Sequence, residues 1–290
     1  MKKTYLTSAL MLATLSGSLL AQTLVTVNGQ AIDSSVIDAQ IKAIRADNSQ
    51  VQDSPSLRQN LTERQVLSTV VGQEAKRLKL DQSAEYKQAL EQARATTKQN
   101  GAEKKPHFKT EWAVFEGDLL GQAYAAHIAR QNPVQEKDIK AAYDDFNKYY
   151  KGSQEVQLGE IITRSNADAE KAIADLRAKK SFASVVNQYS IDERAKQAGG
   201  IASDYLPLKD LQQSAPPLYE AVKDLKKGSY TAKPLQNGNL YGVFYINDRR
   251  NVEIPAYEQI KNNIGNDLQA ARIDAAIQSL LQKADIKPAK

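Results

Sequence analysis

Any chemistry in this chain is done without thiols and almost without imidazoles. The sequence has no cysteine and two histidines, His107 and His127. Cysteine nucleophiles, thiolate metal sites and disulfides are therefore excluded. His107, in "EKKPHF", and His127, in "YAAHIAR", lack the spacing of paired metal ligands and read as a surface residue and a helix-face residue. The pair Asp144–Asp145 reads as a solvated helix face rather than an acid/base dyad. A Ser-His-Asp site is excluded from the region beyond residue 154, which holds no histidine, and no signature supports a serine–lysine pair. What stands out is one aspartate, Asp192, in "NQYSIDERAKQAGG". A helix turn ends at Tyr189-Ser190, the acid follows, then a short charged segment and two glycines. Adjacent glycines let a chain pass through backbone angles that other residues avoid. The segment is a shaped turn, and Asp192 either serves a site or caps the helix that follows it.

The elements around it fall into three regions after an address. "MKK" followed by "TYLTSALMLATLSGSLLA" reads as a secretory signal peptide, residues 1–21, with cleavage expected after Ala21. The apolar run is broken by Thr, Ser and Gly and is marginal for spanning a bilayer, and no later window is apolar enough. An exported protein has no ATP supply, and no phosphate-binding G-x-x-x-x-G-K-[ST] loop is present. Of the 290 residues 41% are hydrophobic and 25% charged, enough for real cores, and two of the positives behind the net charge of +5 are Lys2 and Lys3. The remaining charges are interspersed, which argues against a nucleic-acid surface.

Residues 22–151 read as mainly helical. "QTLVTVNGQAI" is a short hairpin turning at Asn28-Gly29, and helices follow, one capped by Ser54 or Ser56 with Pro55 in its first turn. Residues 154–250 change character: the strand "EVQLGEIITRS", a helix with Asn166 as its cap, the helix "SFASVVNQYS", the strand "IASDYLPL", a helix opened by prolines in "APPLYEAVKDLKKGS" and closed at Gly228, and two strands joined by "QNGN". This is an α+β unit. Residues 256–283 form one long helix whose stripe of Ile260, Ile264, Leu268, Ile273, Ile277 and Leu280 needs a partner, expected on the N-terminal helices.

The order of words in the middle region, "SFASVVNQYSIDERAKQAGG", then "PPLYEAVKDLKKGS", then a hairpin ending "INDRR", resembles the parvulin-type peptidyl-prolyl isomerases. With "VTVNGQAIDSSVIDAQI" at its start, the whole layout is similar to the exported SurA/PrsA-type foldases. The resemblance implies an α+β fold in which a parvulin-like module is attached to a helical chaperone-like lobe completed by the C-terminal helix. It implies a site on the module and no cofactor or metal. The family carries a histidine on the first strand, where this chain has Glu160, and another on the last strand, where the place falls near Gly242. The acid position is kept as Asp192; the pocket phenylalanine becomes Leu218 and its methionine partner falls near Ser214. Tyr205, Asn237 and Asn239 are further candidates for the substrate groove.

Rotation about an X-Pro bond crosses a barrier of about 18–20 kcal/mol without making a covalent bond or moving a proton. A groove helps by gripping the ring, desolvating the amide and favouring the twisted carbonyl. Glu160 and Asp192 would form a new acid pair, but like charges at close range repel. That favours Glu160 turned to solvent and Asp192 as a helix cap. Two functions are implied: an exported, periplasmic chaperone for unfolded secreted or outer-membrane proteins, with a module that has lost its catalytic histidines, or an active isomerase acting on X-Pro bonds of such clients. Neither needs nucleotide, nucleic acid or a membrane segment after signal cleavage.

Overall fold

The computed structural model describes residues 22–289. The signal-peptide expectation for residues 1–21 lies outside the described residues. In chain order the elements are β1 (Thr23–Val27), β2 (Gln30–Asp33), α1 (Ser34–Asp47), α2 (Pro55–Arg77), α3 (Ala84–Gln99), α4 (Phe108–Gln131), α5 (Glu136–Tyr150), β3 (Gln154–Thr163), α6 (Asn166–Arg177), α7 (Phe182–Tyr189), α8 (Glu193–Gln197), β4 (Ile201–Pro207), α9 (Leu208–Ser214), α10 (Pro216–Val222), β5 (Leu235–Asn237), β6 (Leu240–Asn251), α11 (Tyr257–Lys283) and β7 (Ile286–Pro288). They divide into two compact units. One runs to Gln135 and resumes at Gly265; the other is Glu136–Ile264. No helix among the described residues is long and apolar enough to cross a membrane.

In the first unit the β1–β2 hairpin turns at Asn28 and Gly29, both at positive φ. β7 adds to the free side of β1, giving the antiparallel order β2-β1-β7. Val25, Val27 and Ile32 are buried against Val70 of α2, with Leu280 and Leu281 of α11 packed on them. A second cluster joins Val71 and Ala75 of α2 to Leu119, Leu120 and Tyr124 of α4, and takes in Ile277 and Leu280 of α11. Of the stripe on the last helix, Ile277 and Leu280 pack here, while Ile260 and Ile264 group with the other unit. Ser54 caps α2 by accepting from Leu57 N at 3.2 Å, with Pro55 as the first helical residue.

The second unit is built on an antiparallel sheet of order β4-β3-β6-β5. Side chains on adjacent positions of β3 and β6 alternate between its faces. One face carries Ile161 and Val243, buried against Ala169, Ala172 and Ile173 of α6 and Val185 and Val186 of α7. The other carries Leu158 and Ile246, buried with Val156, Leu211 of α9 and Val222 of α10. The sheet thus has helices on both faces, and α9–α10 are what stand over the second.

Several local details differ from the sequence reading. Ser165, not Asn166, caps α6: it has the extended backbone of an N-cap and accepts from Asp168 N at 3.1 Å. The proline-opened helix stops at Val222, and Gly228, at φ +82°, closes the turn that follows rather than the helix. α9 and β7 have no counterpart in the sequence reading. The unit boundary lies between Gln135 and Glu136, so α5, expected with the first lobe up to residue 151, groups with the second unit. Its Tyr150 hydroxyl donates to Asp210 of α9 at 2.8 Å, and its Tyr143 hydroxyl donates to the Pro255 carbonyl at 3.1 Å.

Candidate functional site

The shaped turn is anchored on the sheet. α7 ends at Tyr189, Ser190 N bonds to the Val186 carbonyl, and Ile191 N then reaches the Ile162 carbonyl on β3 at 2.8 Å. This carries the next residue, Asp192, to the edge of the face that α9 and α10 cover. Asp192 caps α8, its Oδ1 accepting from Arg194 N at 2.8 Å and Ala195 N at 3.1 Å. The diglycine then returns the chain to β3. Gly200 sits at φ +80°, and its carbonyl accepts from Glu160 N at 2.8 Å. A Cβ there would lie 2.4 Å from Val186 Cγ2, 2.9 Å from Phe182 Cε1 and 3.2 Å from the Glu160 carbonyl oxygen, so only glycine lets the turn pass so close.

The result is a groove of about 1050 Å³ on the α9–α10 side of the sheet. Five of the seven residues expected at a site line it: Glu160, Asp192, Ser214, Leu218 and Asn237. A smaller cavity of about 330 Å³ shares Glu160, Asp192, Arg194, Leu218 and Phe244 with it, and adds Leu158, Ile201, Ala202 and Leu206. Tyr205 lines neither. Its hydroxyl donates to Asp248 at 2.6 Å and the Arg250 guanidinium lies 3.6 Å from its ring centroid, so it belongs to a strut between β4 and β6. Its neighbour Leu206 takes the cavity-facing position, since adjacent strand residues point to opposite sides. Lys227 and Tyr205 together hold the Asp248 carboxyl down to about 2. Asn239, at the tip of the β5–β6 hairpin, also stays out of the wall, which takes Asn237 and Leu240 instead.

Glu160 does not turn to solvent. It is half-buried, lines both cavities, and its carboxylate has no hydrogen-bond or ion-pair partner among the described residues. Burial pushes its carboxyl above the usual glutamate range, and the nearby charge of Asp192 adds to the rise. Ser214 has its hydroxyl committed to the Asp210 carbonyl at 2.8 Å, so it contributes surface rather than a free donor.

The wall residues missed in the sequence are chiefly Phe244, Ile162 and Pro216. The register of β3 on β6 sets Glu160 opposite Phe244 and Ile162 opposite Gly242, so all four positions belong to one face. A Cβ at Gly242 would fall 2.8 Å from Phe244 Cε2 and 2.9 Å from Cζ. The Phe244 ring therefore fills the space that a side chain at 242 would need. A period of two counted from Gly242 along "GVFYI" would have found it.

The groove's chemistry is apolar contact from Leu218, Phe244, Ile162 and Leu240, with the unpaired carboxylate of Glu160, the helix-capping carboxylate of Asp192, and Glu193 and Arg194 in its wall. Among the described residues no cluster of His, Asp and Glu could hold a metal ion.

Residues 134–262 match the model of the PPIC-type PPIase domain. The chain is 25% identical, over 92% of its length and 93% of its relative's, to the "Probable parvulin-type peptidyl-prolyl cis-trans isomerase" of Bordetella bronchiseptica. It is 26% identical to foldase protein PrsA 4 of Bacillus cereus over 59% of this chain and 57% of that one. A crystal structure of the peptidylprolyl isomerase PrsA from Bacillus cereus aligns with 93% of this chain and 95% of its own, at 23% identity and a TM-score of 0.40. The segment 134–262, which contains the sheet, the shaped turn and the groove, is the part of the chain that matches the PPIC-type PPIase domain of the parvulins.

Proposed function

We propose that the chain is an exported, periplasmic foldase that holds unfolded secreted or outer-membrane polypeptides, and that its parvulin module grips X-Pro segments while accelerating their isomerisation weakly or not at all. The observation that carries this reading is an intact, largely apolar groove in a domain without a histidine: His107 and His127 both lie before residue 134. A proline ring fits between Leu218 and Phe244, which pack on the same cluster under α9 and α10. Leu218 is smaller than the phenylalanine the family places there, and Phe244 supplies aromatic surface beside it. Ring binding survives in this arrangement. What goes is the hydrogen-bonded frame that two imidazoles and an acid would make around the twisting amide, because Glu160 has no partner and Asp192 is committed to α8. The helical first unit is assigned the broader client contact. It contains a second groove of about 560 Å³, edged by Val36, Ala39, Ile44 and Leu61 with the Arg64–Asp118 ion pair beside it. Chaperoning asks for such extended apolar contact with a polar rim rather than one deep pocket.

The alternative, an active isomerase, is favoured by the same groove if shape and desolvation alone supply the acceleration. The full chain distinguishes the two. With chemically denatured citrate synthase, the foldase reading expects aggregation to be suppressed at stoichiometric amounts. With a proline tetrapeptide followed by exchange NMR, it expects binding with little added exchange. Exchange as fast as a histidine-bearing parvulin gives would establish the isomerase. Neither suppression nor peptide binding would refute both readings.

A further inference from the structure

Of the groove's carboxylates, Glu160 alone is uncommitted. Asp192 accepts from two backbone amides, and Glu193 pairs with Lys196 at 2.8 Å. Glu160 has neither kind of partner among the described residues, yet it is half-buried. Leaving a carboxylate partly desolvated and unpaired is unfavourable, and a cation arriving with a ligand would relieve it.

The smaller cavity shows what kind of cation fits. Its wall combines apolar surface from Leu158, Ile201, Ala202 and Leu206 with Glu160 at the boundary it shares with the larger groove. An aliphatic stem carrying a charged head matches that combination, the stem lying on apolar surface and the head reaching the acid. The two cavities share the Leu218 and Phe244 walls, so a chain with its proline ring in the larger one can place a neighbouring side chain in the smaller. Arg194 also lines both and repels a cation; it comes from α8, beside Asp192. The wall positions contributed by β4, α9, α10, β5 and β6 hold no titratable group.

We propose that the smaller cavity is a side-chain subsite for a lysine or arginine adjacent to the proline, with Glu160 as its counter-ion. This rests on reading the larger cavity as the proline groove, and it names the class of segment that groove selects.

The test titrates the full chain at low salt with proline peptides carrying lysine, norleucine or glutamate at the position before or after the proline. Norleucine keeps the lysine stem without the charge. The lysine peptide is expected to bind about fivefold tighter than norleucine at one of the two positions, with glutamate weakest. In Glu160→Gln the lysine-to-norleucine ratio should fall to about one, and in Asp192→Asn, which keeps the cap acceptor, it should fall part of the way. The ratio should also fall with added salt, and as the pH drops through the range where Glu160 protonates. Equal binding of lysine and norleucine peptides at both positions would overturn the proposal while leaving the groove reading intact. So would a lysine preference that survives Glu160→Gln, or tightest binding of the glutamate peptide, which would assign the subsite to Arg194. If no peptide binds at all, the groove reading itself falls and the subsite falls with it.

Discussion

Replacing Gly200 with alanine should damage the second unit more than the same change one residue earlier, and the structure says by how much. Both glycines are at positive φ, +65° for Gly199 and +80° for Gly200. An L-residue in that region costs about 1–2 kcal/mol. At Gly199 the new methyl would meet Ala183 Cβ at 3.7 Å, an ordinary contact, so the backbone cost stands alone. At Gly200 it would meet Val186 Cγ2 at 2.4 Å, and both Phe182 and the Glu160 carbonyl lie within 3.2 Å. Overpacking of that kind adds about 1–3 kcal/mol. Gly200→Ala is therefore expected to lose about 3 kcal/mol or more, roughly twice the loss of Gly199→Ala. In melting temperature the difference between the two variants should be at least about 4 °C. Far-UV circular dichroism of the full chain in urea, with hydrogen exchange along β3 and β6, reads the second unit. The single tryptophan, Trp112, lies in α4 of the first unit and serves as an internal control. Because Gly200 accepts a hydrogen bond from Glu160 N, its displacement should also weaken proline-peptide binding. Equal destabilisation by the two substitutions would refute the reasoning, since it would mean that the approach of the turn to Val186 and Phe182 is not felt.

Asp192→Ala should cost about 1 kcal/mol through the lost cap and speed exchange of the Arg194 and Ala195 amides, whereas Asp192→Asn should change little. Glu160→Gln should raise stability at neutral pH by about 1–3 °C in melting temperature. The folded state raises the Glu160 pKa, so the protonated form is favoured and the stability it confers is lost as pH rises through the folded value; the benefit of glutamine should accordingly vanish below about pH 4, where glutamate is protonated in both states. Removing the residues after Ala284 deletes the β1–β7 ladder and the reciprocal Asn28–Asp285 bonds, and should destabilise the first unit by about 2 kcal/mol, read by Trp112 fluorescence in urea.

What the sequence made legible was whatever is encoded locally. The Asn28-Gly29 turn, the Ser54-Pro55 helix start and the "QNGN" hairpin each rest on residues within one turn of one another, and each forms where expected. The apolar stripe of α11 announced a packing face because 3.6-residue periodicity over many turns has few other meanings, and at its C-terminal end Ile277 and Leu280, both partly buried, pack on the α2–α4 cluster. β7 was not legible. "IKP" is three exposed residues that become a strand only because β1, from the other end of the chain, offers a free edge. α9 is seven residues between Pro207 and Ala215, too short to show a period, and its one buried side chain is Leu211. Ser165 and Asn166 are both good caps, and the choice fell to whichever residue carried the extended backbone that leads out of β3.

At the site the limit was register. Family resemblance placed Glu160, Asp192, Ser214, Leu218 and Asn237 at one place, and the groove brings these five together. Tyr205 failed by a single strand position, because which side of β4 faces the cavity depends on its pairing with β3 and on the bulge between Gln157 and Gly159. Phe244 shares the face of Gly242 by a period of two, but its place opposite Glu160 is set by the register of β3 on β6. That pairing gives the departures at the site a common cause. A bare Gly242 leaves room for the Phe244 ring; the ring turns the wall apolar; and the acid opposite it, Glu160, is left half-buried with no donor to hold. A polar side chain restored at 242 would have to displace that ring. On the foldase reading proposed above, building two imidazoles into this groove requires changes at 160, 242 and 244 together, and no single substitution there is expected to bring exchange up to that of a histidine-bearing parvulin.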